Sequence, residues 1–180
     1  DFNSTNNNVN YNYDDVILII NKNSQDSKNI GNYFRMRRNI NVSRIVYIDT
    51  IDGEDISLEN FNNQVREPIK DFLISKNLTN STNYIITTKG LPLKITDKQV
   101  RSVDSELTLI LGPYNDAMGV KEKIYNPYFA KNETFSRSKY GIYLVTRLTG
   151  YNYTDVKNLI DKSSNITNNG TFVFDITPKD

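Results

Sequence analysis

Lys89, Asp104, Glu106 and Arg147 are the charged side chains best placed to do chemistry in this sequence, together with the polar turn Asn21-Lys22-Asn23-Ser24 and the small residue Gly90. Two carboxyls two positions apart, Asp104 and Glu106, could divide general acid and base work in a hydrolase, although spacing alone does not fix their separation. They also stand near a helix start, where the dipole stabilises negative charge without any function. A third reading pairs one of them with Arg147 or Lys89 as a buried ion pair, which would hold a loop without doing catalysis.

Other chemistries are excluded by composition. The 180 residues include no Cys and no His, so thiol nucleophiles, His-based triads, disulfides and the usual zinc sites cannot form within this chain. Neither G-x-G-x-x-G nor G-x-x-x-x-G-K-[ST] occurs, and Asp26, entering the first helix, would compete with a bound anion. No cofactor is expected. The acidic loop Asp49-Thr50-Ile51-Asp52-Gly53-Glu54-Asp55 offers oxygen ligands of the calcium type but lacks the EF-hand spacing. Lys+Arg is 22 against Asp+Glu 21, which gives no electrostatic reason to expect nucleic acid or an anionic membrane as partner. Hydrophobic residues make up 37%, below the usual 45–50% with glycine counted; the polarity comes from Asn, Ser and Thr.

The elements that must position these groups follow from hydrophobic patterning. Residues 1 to 13 read as a flexible Asn-rich leader. Val16 to Ile20 is a continuous, mostly β-branched run that suits a strand buried on both faces. A helix to about Asn39 follows, with Ile30, Tyr33 and Phe34 on one face. Ser43 to Asp49 is the second strand. From Ser57, Leu58, Phe61, Val65, Ile69, Phe72 and Leu73 recur every three or four residues, and Pro68 divides them into a short helix and a second one that begins near the proline. Tyr84 to Thr88 is the third strand, Ser102 to Leu111 a short helix ending at Gly112-Pro113, Tyr140 to Thr146 the fourth strand. A helix capped near Asn152 or Thr154 turns Val156, Leu159 and Ile160 inward, and Gly170 to Asp175 is the fifth strand. Residues 114 to 139 are irregular. Strands alternating with helices predict a single α/β domain over 14–180: a three-layer, parallel sheet of about five strands in flavodoxin-like order 2-1-3-4-5, with helices on both faces. In such a sheet ligands bind beyond the carboxyl ends of the strands, which is where Asn23, Ser24, Lys89, Gly90 and Arg147 fall; many such edges are only polar lids.

The longest apolar run has five residues, far short of the ~20 that span a bilayer, so no transmembrane segment is expected, and the opening Asp1-Phe2-Asn3-Ser4-Thr5 reads as a mature or excised fragment. Asn-x-Ser/Thr sequons stand at Asn3, Asn41, Asn77, Asn80, Asn132, Asn152, Asn165 and Asn169. They fit an exported, glycosylated protein, with a merely Asn-biased genome as the alternative. Tyr114, Tyr125, Tyr128, Tyr151 and Tyr153 fit a binding surface or, equally, core and rim positions.

Six stretches in order, Val16-Ile17-Leu18-Ile19-Ile20-Asn21-Lys22-Asn23-Ser24, Gln64-Val65-Arg66-Glu67-Pro68-Ile69, Thr88-Lys89-Gly90-Leu91-Pro92-Leu93, Ser102-Val103-Asp104-Ser105-Glu106-Leu107, Asn126-Pro127-Tyr128-Phe129 and Val145-Thr146-Arg147-Leu148-Thr149-Gly150, together resemble a family of uncharacterised, mostly exported prokaryotic α/β proteins. The resemblance implies no activity, and implies a second half of similar length beyond this one. More distantly the layout is similar to the first subdomain of gingipain-type, caspase-like cysteine peptidases, on the Arg147-Leu148 turn and the helix Asp155 to Lys162. That resemblance implies a catalytic His and Cys in a following subdomain; a His-Gly pair recurs there at a strand end comparable to Lys89-Gly90. With neither residue here, no catalytic role carries over.

Two expectations result. The first is a non-enzymatic domain of a secreted or cell-surface prokaryotic protein, archaeal or bacterial, whose partners are the second half, other surface domains, or a protein or glycan ligand. The second is the non-catalytic half of a caspase-like peptidase or other hydrolase, with Lys89, Asp104, Glu106 and Arg147 lining a pocket that the other half completes.

Overall fold

The computed structural model describes residues 12–97, 100–112 and 125–163 of the chain. At its centre β1 (Val16–Asn21) is buried along its whole length. Its side chains alternate between two cores: Ile17 and Ile19 enter one, Val16, Leu18 and Ile20 the other. A strand apolar on both faces has to be covered on both, and this sets the layering.

Against the first face pack α2 (Leu58–Phe61), one wider π-type turn (Asn62–Arg66), α3 (Glu67–Ser75) and α4 (Val103–Thr108), through Phe61, Val65, Ile69, Leu73, Val103 and Leu107. Against the second pack α1 (Gln25–Arg37) and α6 (Tyr153–Lys162), through Ile30, Phe34, Val156 and Ile160. Between them β2 (Ile45–Ile48), β1, β4 (Tyr84–Thr88) and β7 (Leu144–Leu148) form an all-parallel sheet in the order β2-β1-β4-β7. Counting only these strands, the order is 2-1-3-4, a three-layer α/β sheet with helices on both faces. The expected fifth strand, Gly170 to Asp175, and the leader through residue 11 lie outside the described residues.

Local chemistry explains the departures from the sequence reading. Ser43 and Arg44 belong to a 3-10 turn (Val42–Arg44), so β2 begins at Ile45. The fourth strand is displaced from Tyr140–Thr146 to Leu144–Leu148, because Arg137–Tyr140 forms α5, closed by Gly141 in the left-handed region at φ 73°. Arg147 therefore lies within the strand and not after it. Pro68 has no N–H to donate and its ring crowds the carbonyl four residues back; the helix widens into the π-type turn immediately before it and continues. Leu159 is 51% exposed: Val156 and Ile160, four apart, define the buried stripe of α6 with Tyr153 at its margin. The helix expected over Ser102 to Leu111 is limited to α4.

A second sheet was not anticipated. β3 (Asp55–Ser57) pairs in parallel with β5 (Lys94–Thr96), which pairs antiparallel with β6 (Arg101–Ser102). Only Ile56 and Ile95 of these strands are deeply buried. The acidic loop thus ends in a strand, and the loop after β4 returns as one. Among the described residues no helix is long and apolar enough to cross a membrane.

Candidate functional site

The carboxyl ends of β1, β4 and β7 meet at one edge of the parallel sheet, and the polar residues there bond mainly to one another. Asn21 closes β1 and is fully buried. Its Nδ2 donates to the carbonyls of Ile51 (3.1 Å) and Gly90 (2.8 Å), and its Oδ1 accepts from the amides of Asn23 (3.1 Å) and Thr50 (3.4 Å). Both donors and both lone pairs of the carboxamide are in use. One side chain therefore ties three loops, and the only sequence signal for it is an amide directly ending an apolar strand.

Beside it Ser24, also buried, caps α1 by accepting from the Ser27 amide (3.3 Å). Ser27 Oγ accepts from the Asn21 amide (2.7 Å) and lies 2.6 Å from Thr88 Oγ1. Because Thr88 donates to the Ile19 carbonyl (3.1 Å), the Ser27 hydroxyl is left to donate to Thr88. Ser27, Thr87 and Thr88 are site residues that sequence reasoning missed; a short hydroxyl in the first turn of α1 or at the end of β4 carries no periodic signal. Gly90 fits over this group at φ +92°, where a Cβ would lie 2.0 Å from Ser24 Oγ. Nothing but glycine fits there without displacing the helix cap.

Arg147 is the most committed group. Its Nε and Nη2 grip the two oxygens of Asp104 at 2.8 and 2.7 Å, the bidentate geometry of a strong ion pair. Nη1 donates to the carbonyls of Leu91 (2.8 Å) and Thr88 (3.4 Å), and Nη2 also donates to Pro92 (3.0 Å). All five guanidinium N–H groups are thereby used, and the side chain is 8% exposed. Asp104 in turn accepts from Thr87 Oγ1 (3.1 Å). Strand, helix and loop are locked by one charge pair.

The remaining expected residues are also engaged. Lys89 pairs with Asp26 (3.3 Å) and donates to the Tyr151 carbonyl (2.6 Å). Asn23 donates to Asp49 (2.7 Å) and to the Thr50 carbonyl (3.0 Å). That hydrogen bond, with the charge of Lys22 at 3.5 Å, holds the Asp49 carboxyl below its usual range. Glu106 faces Arg101 (3.6 Å), while Asp104 is held by Arg147 (2.7 Å). Among the described residues no group of three or more acidic side chains could hold a metal ion, and the acidic loop spends Asp49 on Lys22 and Asn23. The Tyr residues divide: Tyr128 packs with Phe135 and Tyr140, and Tyr153 with Tyr33, whereas Tyr125 and Tyr151 stand exposed. Tyr114 lies outside the described residues.

An open cleft of about 420 Å³, lined by Asn12, Asp14, Asp15, Arg44 and Ser81, lies at the opposite end, where the strands begin. The fold is a three-layer α/β domain, and the edge at which such folds bind ligands is here filled by the protein's own carbonyls. The chain matches no family model, no curated protein and no solved structure.

Proposed function

We propose that this chain is a non-enzymatic domain of a secreted or cell-surface prokaryotic protein, bacterial or archaeal, with a structural or adhesive role toward other domains or an external protein or glycan. The observation that carries this reading is the occupancy of the strand-end edge. Asn23, Ser24, Lys89, Asp104, Glu106 and Arg147 each have a partner within the chain, and an arginine bound to three loop carbonyls and one carboxylate has no donor to offer a substrate. Catalytic groups also bond to one another, but they leave a position about 3 Å from nucleophile and oxyanion donors for a reacting atom; here the donors of Arg147 all go to the chain itself. The sequons and the exposed Tyr125 and Tyr151 agree with a surface role.

Localisation in the source cells tests it. Protease added to intact cells is expected to remove this domain while cytosolic markers survive; protection equal to the cytosolic markers overturns the reading. The second reading, the non-catalytic half of a caspase-like peptidase, is compatible with the outer edge of β7, which has no partner strand among the described residues and is where either the expected fifth strand, Gly170 to Asp175, or a following half would add. That version requires a His and a Cys at strand ends in the remainder of the coding sequence, and their absence removes it.

A further inference from the structure

Five sequon asparagines fall on described residues, and all five are exposed: Asn41, Asn77, Asn80, Asn132 and Asn152. Four of them lie in connections that enter strands, at the end of the sheet opposite the tied loops. Asn41 precedes β2, Asn77 and Asn80 precede β4, and Asn132 precedes α5 and β7. The exception, Asn152, lies between β7 and α6. Buried or bridging asparagines such as Asn21, Asn23 and Asn83 spend their Nδ2 on hydrogen bonds and are not in sequons. The sequon asparagines that bond through their carboxamide do so through Oδ1, as Asn41, Asn80 and Asn152 do.

Exposure of the asparagine is not sufficient, because the hydroxyl two residues on must also be reachable. At Asn80 that hydroxyl belongs to Thr82, which is 0% exposed and accepts from Arg44 (3.1 Å). At Asn152 the next two residues form the first turn of α6. At Asn77 the central Leu78 packs on the core and its amide bonds to the Leu73 carbonyl (2.8 Å). Asn132 and Asn41 differ. Asn132-Glu133-Thr134 is irregular and exposed; Glu133 is held, its carboxylate by Lys139 and Tyr140 and its carbonyl by Tyr128 Oη (2.6 Å). Asn41-Val42-Ser43 is exposed at all three residues; Asn41 caps a 3-10 turn by accepting from the Ser43 amide (2.9 Å), but that turn has three residues against the ten of α6, so opening it disturbs far less structure.

Asn3, Asn165 and Asn169 lie outside the described residues; among the described sequons we infer that Asn132 and Asn41 are the acceptors of N-linked glycan on the folded chain, so that sugar at these two sites covers the strand-start end. This rests on the surface reading above. In the transfer, Nδ2 forms a bond to the anomeric carbon of a lipid-diphosphate-linked oligosaccharide. The bond from that carbon to the diphosphate oxygen breaks, the lipid diphosphate leaves with the electron pair, and the amide nitrogen gives up one proton. The donor and its transferase are separate from this chain.

The test incubates the purified folded chain with a single-subunit oligosaccharyltransferase and its lipid-diphosphate donor, and maps occupancy by peptide mass. Synthetic peptides spanning each of the five sequons serve as unfolded acceptors. We expect occupancy at Asn132 and Asn41 to exceed that at Asn80 and Asn152 by about tenfold or more, because the latter need local unfolding first. The peptides should accept comparably. Equal occupancy at all sites, or no transfer to a folded chain whose peptides are modified, overturns the proposal. Asn132→Gln and Asn41→Gln should each remove one glycan mass with circular dichroism unchanged. Failure of the surface reading has a different signature, selective transfer in vitro to a chain that fractionates with the cytosol.

Discussion

At the residue scale the fold depends on two contacts at the strand ends. Arg147 and Asp104, 43 positions apart in sequence, meet because β7 and α4 pack on the same side of β4. Removing one partner of a buried pair strands the other. Asp104 is 28% exposed and keeps its Thr87 hydrogen bond, so Arg147→Met should cost about 2–3 kcal/mol, less than for a fully buried pair. Arg147→Lys should recover less than half of this, since an ammonium cannot grip a carboxylate in two places and three carbonyls besides. Urea midpoints at unchanged slope are the measurement, and a fully stable Arg147→Lys would show that the fork geometry is unimportant. Gly90→Ala should destabilise by about 3 kcal/mol, from the positive φ together with the clash at Ser24. Combining it with Ser24→Gly should recover about 1 kcal/mol or more, a coupling expected only between residues in contact. The residue types were legible in advance. Asp104 and Arg147 stood out as charges in an α/β frame, and their pairing was among the readings the residues allowed. The knot at Asn21, Ser27 and Thr88 was not legible, because it depends on which short polar groups tertiary packing brings together.

At the element scale the long periodic segments could be read and the short ones could not. β1, α1 and α3 follow from their apolar spacing. β3, β5 and β6 have two or three residues each, too few for any alternation to register. The run Tyr140 to Thr146 reads as a strand in the sequence, but Gly141 within it closes the helical turn of α5 and the strand begins at Leu144. Helix α6 is tied to the end of α1 by Arg38, which donates to the Ile160 carbonyl (2.6 Å) and Ser163 Oγ (2.7 Å), and by one carboxylate. Asp161 accepts from Tyr33 Oη (2.6 Å) and faces Arg37 (3.1 Å) and Lys157 (2.9 Å). Its carboxyl is held below the usual range, by the Tyr33 hydrogen bond first and then by Lys157. A carboxyl with a lowered folded pKa stabilises above its unfolded value of about 3.9, and that contribution is lost as pH falls through the lower folded value. Asp49 and Glu133 act in the same direction. Stability should decline from about pH 5 downward, and Asp161→Asn should flatten the decline. Parallel acid profiles for the two proteins, from urea titrations at a series of pH values, would contradict this.

At the scale of the whole molecule the two ends of the parallel sheet differ in kind. The end where strands begin carries most of the described sequons and the open cleft; the end where they finish is cross-tied by Asn21, Ser24, Lys89 and Arg147. The three-layer order follows from a first strand that is apolar on both faces, with right-handed crossovers placing α1 and α3 on opposite sides. What the sequence could not convey is that the customary ligand edge is closed by the chain's own loop. The most direct test is native-state amide hydrogen exchange over 88–93 in the unmodified chain and in Arg147→Lys. The amides of Lys89, Leu91 and Leu93 bond to the carbonyls of Leu148 (2.9 Å), Thr88 (3.2 Å) and Glu54 (2.7 Å). A locked edge predicts that all three are protected to within about 1–2 kcal/mol of the global stability, and that Arg147→Lys releases them while the amides of β1 stay slow. Rapid exchange of these amides in the unmodified chain, or protection indifferent to Arg147, would mean that the loop is free to receive a ligand and that the edge is a site after all.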